Sequence, residues 1–304
     1  MKNRFNRPRI IGWIAVGLST AISSFWAFWG IIENFHEGWY LSTLKGNIGL
    51  MLAQYLSPML VFMALTVIAI YRPKAGALMH AVLAAFSCWF FRGGNPVTIF
   101  LITSMFLVMG FLYWFSDFQH KRIAVRIALG LPLLTLVIAG ISPIVRVSQR
   151  IQEVDHSTQY ITGNGVSLIW APSGPGWPDS GEDWITADGI CRRLDEGGTK
   201  IKERDMEIWR LPTVDEAVRS MSRHGVNCNG FWNEAAREAR YEAKPDKEMP
   251  LWDIHSPVIY WWTATEVDDN TAFMIEYDGQ VWPRKKLTTQ TYFGFRCVRD
   301  MENK

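Results

Sequence analysis

Acidic side chains are almost missing from the first half of this 304-residue chain, where residues 1–145 hold three Asp or Glu against eleven Lys or Arg. Five stretches of that half, Ile10–Ile32, Gly46–Tyr71, Ala75–Phe91, Asn95–Phe115 and Ile127–Val145, contain no Asp, Glu, Lys or Arg at all. Ion paths and proton relays through a bilayer place ionisable groups within their spans, so this absence argues against a transport pathway. His80 is the exception, and a hydrogen bond to a neighbour explains a lone helical histidine as well as a ligand role does. The second half lacks the opposite feature. Residues 146–304 carry twenty Lys or Arg against twenty-six Asp or Glu. An acidic domain without clustered cations excludes nucleic acid as a partner.

What the first half does have is length. At about 1.5 Å per residue each uncharged run covers a hydrocarbon core of roughly 30 Å, the seventeen-residue Ala75–Phe91 only just. The sequence therefore predicts an α-helical membrane bundle of about five transmembrane helices over residues 1–145. Cytoplasmic loops are enriched in Lys and Arg. Lys2, Arg4, Arg7 and Arg9, then Arg72 and Lys74, then Lys121, Arg122 and Arg126 fall on one side, and Lys45, Arg92, Glu33 and Glu37 on the other. This places the N-terminus in the cytoplasm and the C-terminal domain outside it, in a multi-pass plasma-membrane protein. The first run reads as a retained helix, because no small-x-small cleavage site follows it and Trp26, Phe28 and Trp29 fill its end. Arg92-Gly-Gly-Asn-Pro96 is a turn between two helices on one side. Pro58, Pro132 and Pro143 are tolerated in membrane helices. Ala84, Ala85 and Gly110 permit close packing within the bundle or against a partner's helix.

Residues 146–164 read as a polar linker, and 165–300 as an α+β domain. Val166–Trp170 is a strand signal, and the Gly/Pro run 171–178 is a loop. Trp184, Ala187, Cys191 and Leu194 share a helical face that Gly197-Gly198 terminates. Thr213 and Glu216 are spaced as a capping box for a second helix reaching about His224. Glu234–Glu242 reads as a further helical run. Val258–Thr265, Ala272–Tyr277 and 280–282 read as strands joined at Asp268–Asn270 and Asp278-Gly279, and Tyr292–Val298 as a final strand. Trp209 and Leu211 pack beneath the sheet, and Arg210 suits a carboxylate or carbonyl near the helix start. Trp261 and Trp262 point to opposite faces, one toward the core and one outward.

Three motifs, Trp209-Arg-Leu-Pro-Thr-Val-Asp-Glu216, Tyr260-Trp-Trp-Thr-Ala-Thr-Glu266 and Gly294-Phe-Arg-Cys-Val-Arg299, follow a helix bearing Cys191. In that order they resemble the Lcl C-terminal-type domain, and the first and third are similar to elements of the sulfatase-modifying-factor superfamily, which includes the formylglycine-generating enzymes. The resemblance covers about residues 165–300, leaves the membrane half uncovered, and implies a C-type-lectin-like fold. It marks Trp209, Arg210, Leu211, Pro212, Glu216, Gly294 and Arg296 as structural. It also implies that the first helix lies beside the last strand, which makes Cys191 and Cys297 neighbours. A bridge there closes a loop of about 105 residues, worth roughly 4 to 5 kcal/mol in the chain-entropy model. Cys228 is left as a half-buried thiol, an intermolecular bridge or a reactive site.

The related enzymes bind copper through a cysteine pair upstream of the GFRC element. Here Trp282–Thr291 contains no cysteine, and thiolates are what Cu(I) requires. The iron-dependent relatives use a histidine cluster, whereas His224 and His255 are isolated in sequence. The expectation is therefore a non-catalytic binding or interaction module with no resident cofactor. Its candidate ligand-binding residues are Asn229, Trp232, Asn233, Tyr241, Trp252 and Trp262, aromatic and amide groups that suit a carbohydrate, peptide or protein ligand outside the cytoplasm. Trp232-Asn-Glu234 invites comparison with the calcium-ligating WND of sugar-binding lectins, but no EPN-like companion accompanies it. Asp268–Asn270 offers oxygen ligands for calcium, and a hairpin turn explains it equally. A divergent sulfatase-modifying-factor-type enzyme and a sensor or transporter accessory subunit with a membrane partner are the alternatives.

Overall fold

The computed structural model describes residues 7–301; Lys2 and Arg4 of the N-terminal charge cluster lie outside the described residues. The chain divides into two compact units, Met1–Gly38 with Leu44–Val145, and Trp39–Thr43 with Arg146–Lys304.

The first unit is helical: α1 (Arg7–His36), α2 (Leu44–Leu50), a wide-turn segment Met51–Tyr55, α3 (Ser57–Tyr71), α4 (Pro73–Phe90), α5 (Pro96–Trp114) and α6 (Lys121–Ser148). Among the described residues α1, α5 and α6 are each long and apolar enough to cross a membrane, and Leu44–Tyr55 with Ser57–Tyr71 makes a fourth only as one span bent by 61°. This corrects the expected five. The second run breaks where Pro58 opens α3, because proline has no N–H to give the preceding turn. The third run folds as α4, but its helix starts at Pro73 and takes in Lys74, and with His80 these leave it short of the apolar requirement.

Small residues let these helices approach closely. A Cβ on Gly30 would stand 2.4 Å from the Tyr55 carbonyl oxygen, and one on Gly76 2.3 Å from the Ala69 Cβ. Of the expected small contacts, Ala84 is buried and Gly110 abuts Ala77, whereas Ala85 is exposed. The buried polar groups of this unit include Ser19, Asn34, Thr66 and His80. His80 Nδ1 lies 2.8 Å from the Gly76 carbonyl one turn earlier, while its buried Nε2 has no hydrogen-bond partner among the described residues, and Ser19 Oγ lies 2.9 Å from Tyr113 Oη.

The second unit is β-rich. Its elements are β1 (Gln159–Gly163), β2 (Val166–Trp170), α7 (Trp184–Arg193), α8 (Val214–Ser220), β3 (Ser222–Arg223), β4 (Val226–Asn227), β5 (Phe231–Asn233), β6 (Glu238–Arg240), β7 (Tyr260–Asp268), β8 (Thr271–Glu276), β9 (Val281–Lys285), β10 (Phe293–Gly294) and β11 (Val298–Asp300). One sheet has the order β1-β2-β11, a second β10-β7-β8-β9, and β3–β4 and β5–β6 are separate hairpins. Strand β10 runs parallel to β7, and the other pairs are antiparallel.

The central pair β7–β8 is buried on both faces because its apolar residues run without a polar alternation. Trp261 pairs with Ile275 and Trp262 with Met274. Side chains of successive residues point to opposite faces. Trp261, Phe273 and Ile275 therefore enter one core with Val214, Val218 and Met221. Trp262, Ala272 and Met274 enter the other with Ala187, Cys191 and Leu194 of the α7 region. Helix α7 starts at Asp183, whose carboxylate accepts from the Thr186 N–H, and α8 starts at the full Thr213/Glu216 capping box. Cys191 and Cys297 are joined by a disulfide.

Several local expectations are corrected. The stretch 146–164 is not all connector, since α6 continues to Ser148 and Gln159–Gly163 pairs with β2. Helix α8 stops at Ser220, where the chain turns into β3–β4 around His224 and Gly225, both with positive φ. Glu234–Glu242 forms no helix. Phe231–Asn233 pairs with Glu238–Arg240, Asn233 Oδ1 accepts from the Ala236 N–H at 3.1 Å, and Arg237 takes φ 50°. The single final strand is split into β10 and β11, which belong to different sheets.

The split is made by Arg296. This side chain is 0 % exposed. Its Nε donates to the Ala171 carbonyl at 2.8 Å, and Nη1 donates to those of Pro250 and Leu251, each at 2.9 Å. The guanidinium carbon lies 3.6 Å from the Trp177 ring centroid, a cation–π stack. Replacing Arg296 by Met leaves these carbonyls without that donor, at about 1 to 3 kcal/mol for each buried group left unsatisfied. We predict a stability loss of at least about 3 kcal/mol in urea unfolding followed by tryptophan fluorescence; a loss below about 1 kcal/mol would show that the clamp is dispensable.

Candidate functional site

The hairpin β5–β6 delivers Arg237 and Tyr241 to one wall of a cleft, and the β8–β9 turn supplies the other. Asp278-Gly279 makes that turn. Gly279 has φ 89°, and a Cβ there would meet the Tyr241 ring at 2.5 Å, so glycine is required twice over. Tyr241 Oη donates to the Gly279 carbonyl at 3.0 Å. Asp278 accepts from Gln280 Nε2 at 2.9 Å and from Lys244 Nζ at 2.9 Å. The resulting cleft of 440 Å³ is lined by Arg237, Tyr241, Lys244, Asp278, Gln280 and Trp282, among others.

Two ionisable groups of the cleft, Asp278 and Tyr241, are shifted from their ordinary ranges. Burial would raise the Asp278 carboxyl, but the bonds from Gln280 and Lys244 and the Lys244 charge outweigh it and keep the group below its ordinary range. Burial pushes the Tyr241 hydroxyl up, so it stays a neutral donor. Arg237 and Lys244 are exposed and present N–H groups at the rim. The cleft thus pairs an ionised, already bonded carboxylate with an un-ionised phenol.

Most of the expected ligand-binding residues lie elsewhere. Tyr241 is the one that lines the cleft. Trp252 is 2 % exposed and stacks 3.8 Å from Trp261. Trp262 is 0 % exposed, and its Nε1 donates to the Glu182 carbonyl at 2.8 Å. Both are core residues, which overturns their role as ligand contacts and the outward placement of one of Trp261 and Trp262. Trp232 is buried against Phe273, with Nε1 donating to Glu234 at 2.8 Å. Asn233 caps its hairpin turn, and exposed Asn229 donates to Glu242 at 2.7 Å.

The motif residues make the following contacts. Arg210 donates twice to Glu216 at 2.7 Å and once to Asp300 at 3.0 Å. Trp209 and Leu211 are buried beneath β7–β8, and Pro212 accepts from the Ala264 N–H at 2.8 Å. A Cβ on Gly294 would stand 2.6 Å from the Val258 side chain. Cys228 is buried, and burial pushes its thiol up to about 11. Asp268 Oδ1 accepts from the Asn270 N–H at 2.8 Å, the hairpin explanation of that turn. Among the described residues no group of three or more His, Cys, Asp or Glu is gathered for a metal.

Two groupings were not foreseen. Arg237, Lys244, Asp278, Gln280 and Trp282 meet at the cleft, and the Asp278-Gly279 turn was the sole signal. A second, buried ionic cluster forms around Asp246, which accepts from Arg146 at 2.9 Å and Arg150 at 2.7 Å. Burial would raise the Asp246 carboxyl, and the charges and bonds of the two guanidinium groups hold it low. Glu248 accepts from the Ile151 N–H and the His224 N–H, both at 3.0 Å. The four-residue spacing of Arg146 and Arg150 opposite the run Asp246-Lys247-Glu248 was the available signal.

No family model matches the chain, and no curated protein or solved structure matches it.

Between the acids sits Lys247, fully buried, its ammonium donating to the Ser256 carbonyl. Burial, then the Arg150 charge, lower it from 10.5 to about 7. The unfolded chain thus binds more protons here than the folded one from about pH 7 upward, so stability rises with pH across that window. We predict a rise from pH 7 to 9 with a slope of up to about 1.4 kcal/mol per pH unit from this group. Lys247→Met should flatten that slope in urea unfolding, and an unchanged slope would refute the assignment.

Proposed function

We propose that this protein is a membrane-anchored, non-catalytic binding protein. In this reading the helical unit lies in the plasma membrane, and the β-rich unit is a C-type-lectin-like domain related to the Lcl C-terminal and sulfatase-modifying-factor domains, held outside the cytoplasm. The observation that carries the reading is the open polar cleft between the β5–β6 hairpin and the Asp278-Gly279 turn. It combines exposed donors with a fixed carboxylate on a rigid, doubly buried sheet, the arrangement by which a few placed polar groups give a pocket its specificity.

Three further observations support it. The stretches that carry the family resemblance converge: Arg210 N donates to the Val298 carbonyl at 2.9 Å, and Val214 N to Thr265 Oγ1 at 3.0 Å. The Cys191–Cys297 bridge fits an oxidising compartment, where such bonds persist. The helices α1, α5 and α6 have the length and composition of spans, and in this reading a basic, cytoplasmic N-terminus followed by an odd number of crossings carries the C-terminal side outside. The enzyme alternative is weakened by the Trp282–Thr291 stretch, which has no cysteine where the related copper enzymes have two. The reading assigns no cofactor; calcium at Asp268–Asn270 is tested by repeating binding with and without a chelator.

For ligand recognition, the full-length protein in nanodiscs is screened against carbohydrate and peptide panels. Arg237→Ala with Lys244→Ala should weaken the selected ligand at least about tenfold, as expected for the loss of two charged hydrogen-bonding groups. Unchanged affinity would remove the cleft from the function. Sidedness is read in intact cells with a membrane-impermeant thiol reagent. Labelling of Cys191 and Cys297 should appear only after reduction; labelling confined to lysed cells would put the domain in the cytoplasm.

A further inference from the structure

The helical unit carries a two-part groove that the anchor role does not use. Helices α4 and α5 run antiparallel, with Ala77 beside Gly110 and Lys74 beside Trp114. A groove of 370 Å³ lies along them, lined by Leu78, Ala81, Leu107, Gly110, Phe111 and Trp114 among others. It exists because the residues at its floor are small: a Cβ on Gly110 would stand 3.1 Å from the Ala77 carbonyl oxygen. At Trp114 it meets a second depression of 460 Å³, lined by Arg72, Pro73, Lys74, Ala75, Trp114 and Ser116.

The two parts differ in chemistry. The first is apolar from end to end, whereas the second presents two exposed cations. Lys74 Nζ lies 5.9 Å from the Trp114 ring centroid, and Lys121 Nζ the same distance from that of Tyr71, which brings a third cation to this end. Asp117 is the only acidic residue between Arg72 and Arg122. The far end of the hairpin has Arg92 alone over Trp89. An apolar channel opening onto a cationic end matches one molecule, an acyl chain with an anionic headgroup, and basic pockets at helix ends recognise such lipids.

We propose that the α4–α5 groove is a specific site for an anionic glycerophospholipid, its acyl chain along Ala81 and Phe111 and its phosphate at Arg72 and Lys74. The site rests on the membrane reading of the helical unit and adds a chosen lipid to it. Both cations are exposed, so substituting them leaves the core intact.

The test is native mass spectrometry of the full-length protein in detergent doped with phosphatidylglycerol or phosphatidylcholine. Wild-type protein should retain phosphatidylglycerol preferentially. Arg72→Gln/Lys74→Gln should reduce that retention about 25-fold, near fivefold for each cation removed, and leave phosphatidylcholine unchanged. Ala81→Phe, which fills the apolar groove, should also reduce it, and excess inorganic phosphate should not displace the lipid. Equal retention of the two lipids, indifference to the cation substitutions, or displacement by phosphate would each overturn the site. Alkaline carbonate extraction of cell membranes separates the two readings: release of the protein would sink the membrane assignment itself, while retention without phosphatidylglycerol preference would sink the lipid site alone.

Discussion

A single buried cation organises the β-rich unit. Arg296 ties the loop after β2, the 250–251 turn and the chain between β10 and β11 to one guanidinium. Burial lowers it to about 9, and it remains charged at neutral pH. A buried charge is tolerable only when its hydrogen bonds and surroundings replace water; here three carbonyls and the Trp177 face do so for Nε, Nη1 and the flat face of the group, while Nη2 is buried without a hydrogen-bond partner among the described residues. Those contacts fix where the last segment leaves one sheet and joins the other. They also hold Cys297 where the bridge to Cys191 closes on α7. The disulfide then restrains an arrangement that the arginine has already set.

The cleft inherits its rigidity from this arrangement. Strand β8 is covered on both faces, so its end at Glu276 cannot drift, and the turn that follows it is locked by Tyr241 against Gly279. Short hairpins alone are marginal in water. β5–β6 is held because Trp232 is buried on Phe273 and Asn164 Nδ2 donates to the Gly230 carbonyl at 2.8 Å. Exposed Arg237 and Lys244 thus stand on fixed backbone, which limits the entropy lost when a ligand orders them.

What was legible in the sequence was local. The capping box of α8 needs only Thr213 and Glu216 three residues apart, and Asp278-Gly279 announces its own turn. The apolar runs were equally plain, although composition alone could not show that Pro58 would divide the second of them. The misreadings have distant causes. Glu234–Glu242 is rich in helix formers, yet pairing of its end with Phe231–Asn233 and packing of Trp232 override that propensity. The break in the final strand depends on carbonyls 45, 46 and 125 residues from Arg296. Trp252 and Trp262 look like ligand platforms when read singly and become core once Trp261 is stacked on one side and Phe293 lies edge-on to the other. The cleft was hidden for the same reason, since Arg237, Lys244 and Asp278 meet only through tertiary structure.

The ionic cluster around Asp246 shows how the β-rich unit fixes its Arg146–Ile151 segment. Buried ion pairs add little net stability over well-packed apolar groups, because desolvation offsets the attraction, but removing one partner is costly. Their value lies in geometry. Asp246 accepts from both Arg146 and Arg150, whose guanidinium carbons lie 5.5 and 5.4 Å from the Tyr277 ring centroid, while Glu248 takes the Ile151 N–H. An apolar contact tolerates sliding by a residue. This set does not, since a shift of one position would bury Asp246 and Glu248 without their donors. The segment from Arg146 to Ile151 is therefore held in one register against Asp246–Glu248. The loop that follows Glu248 supplies the Pro250 and Leu251 carbonyls to Arg296, so the Arg146–Ile151 segment and the chain leading into β11 are fixed through the same short stretch of chain.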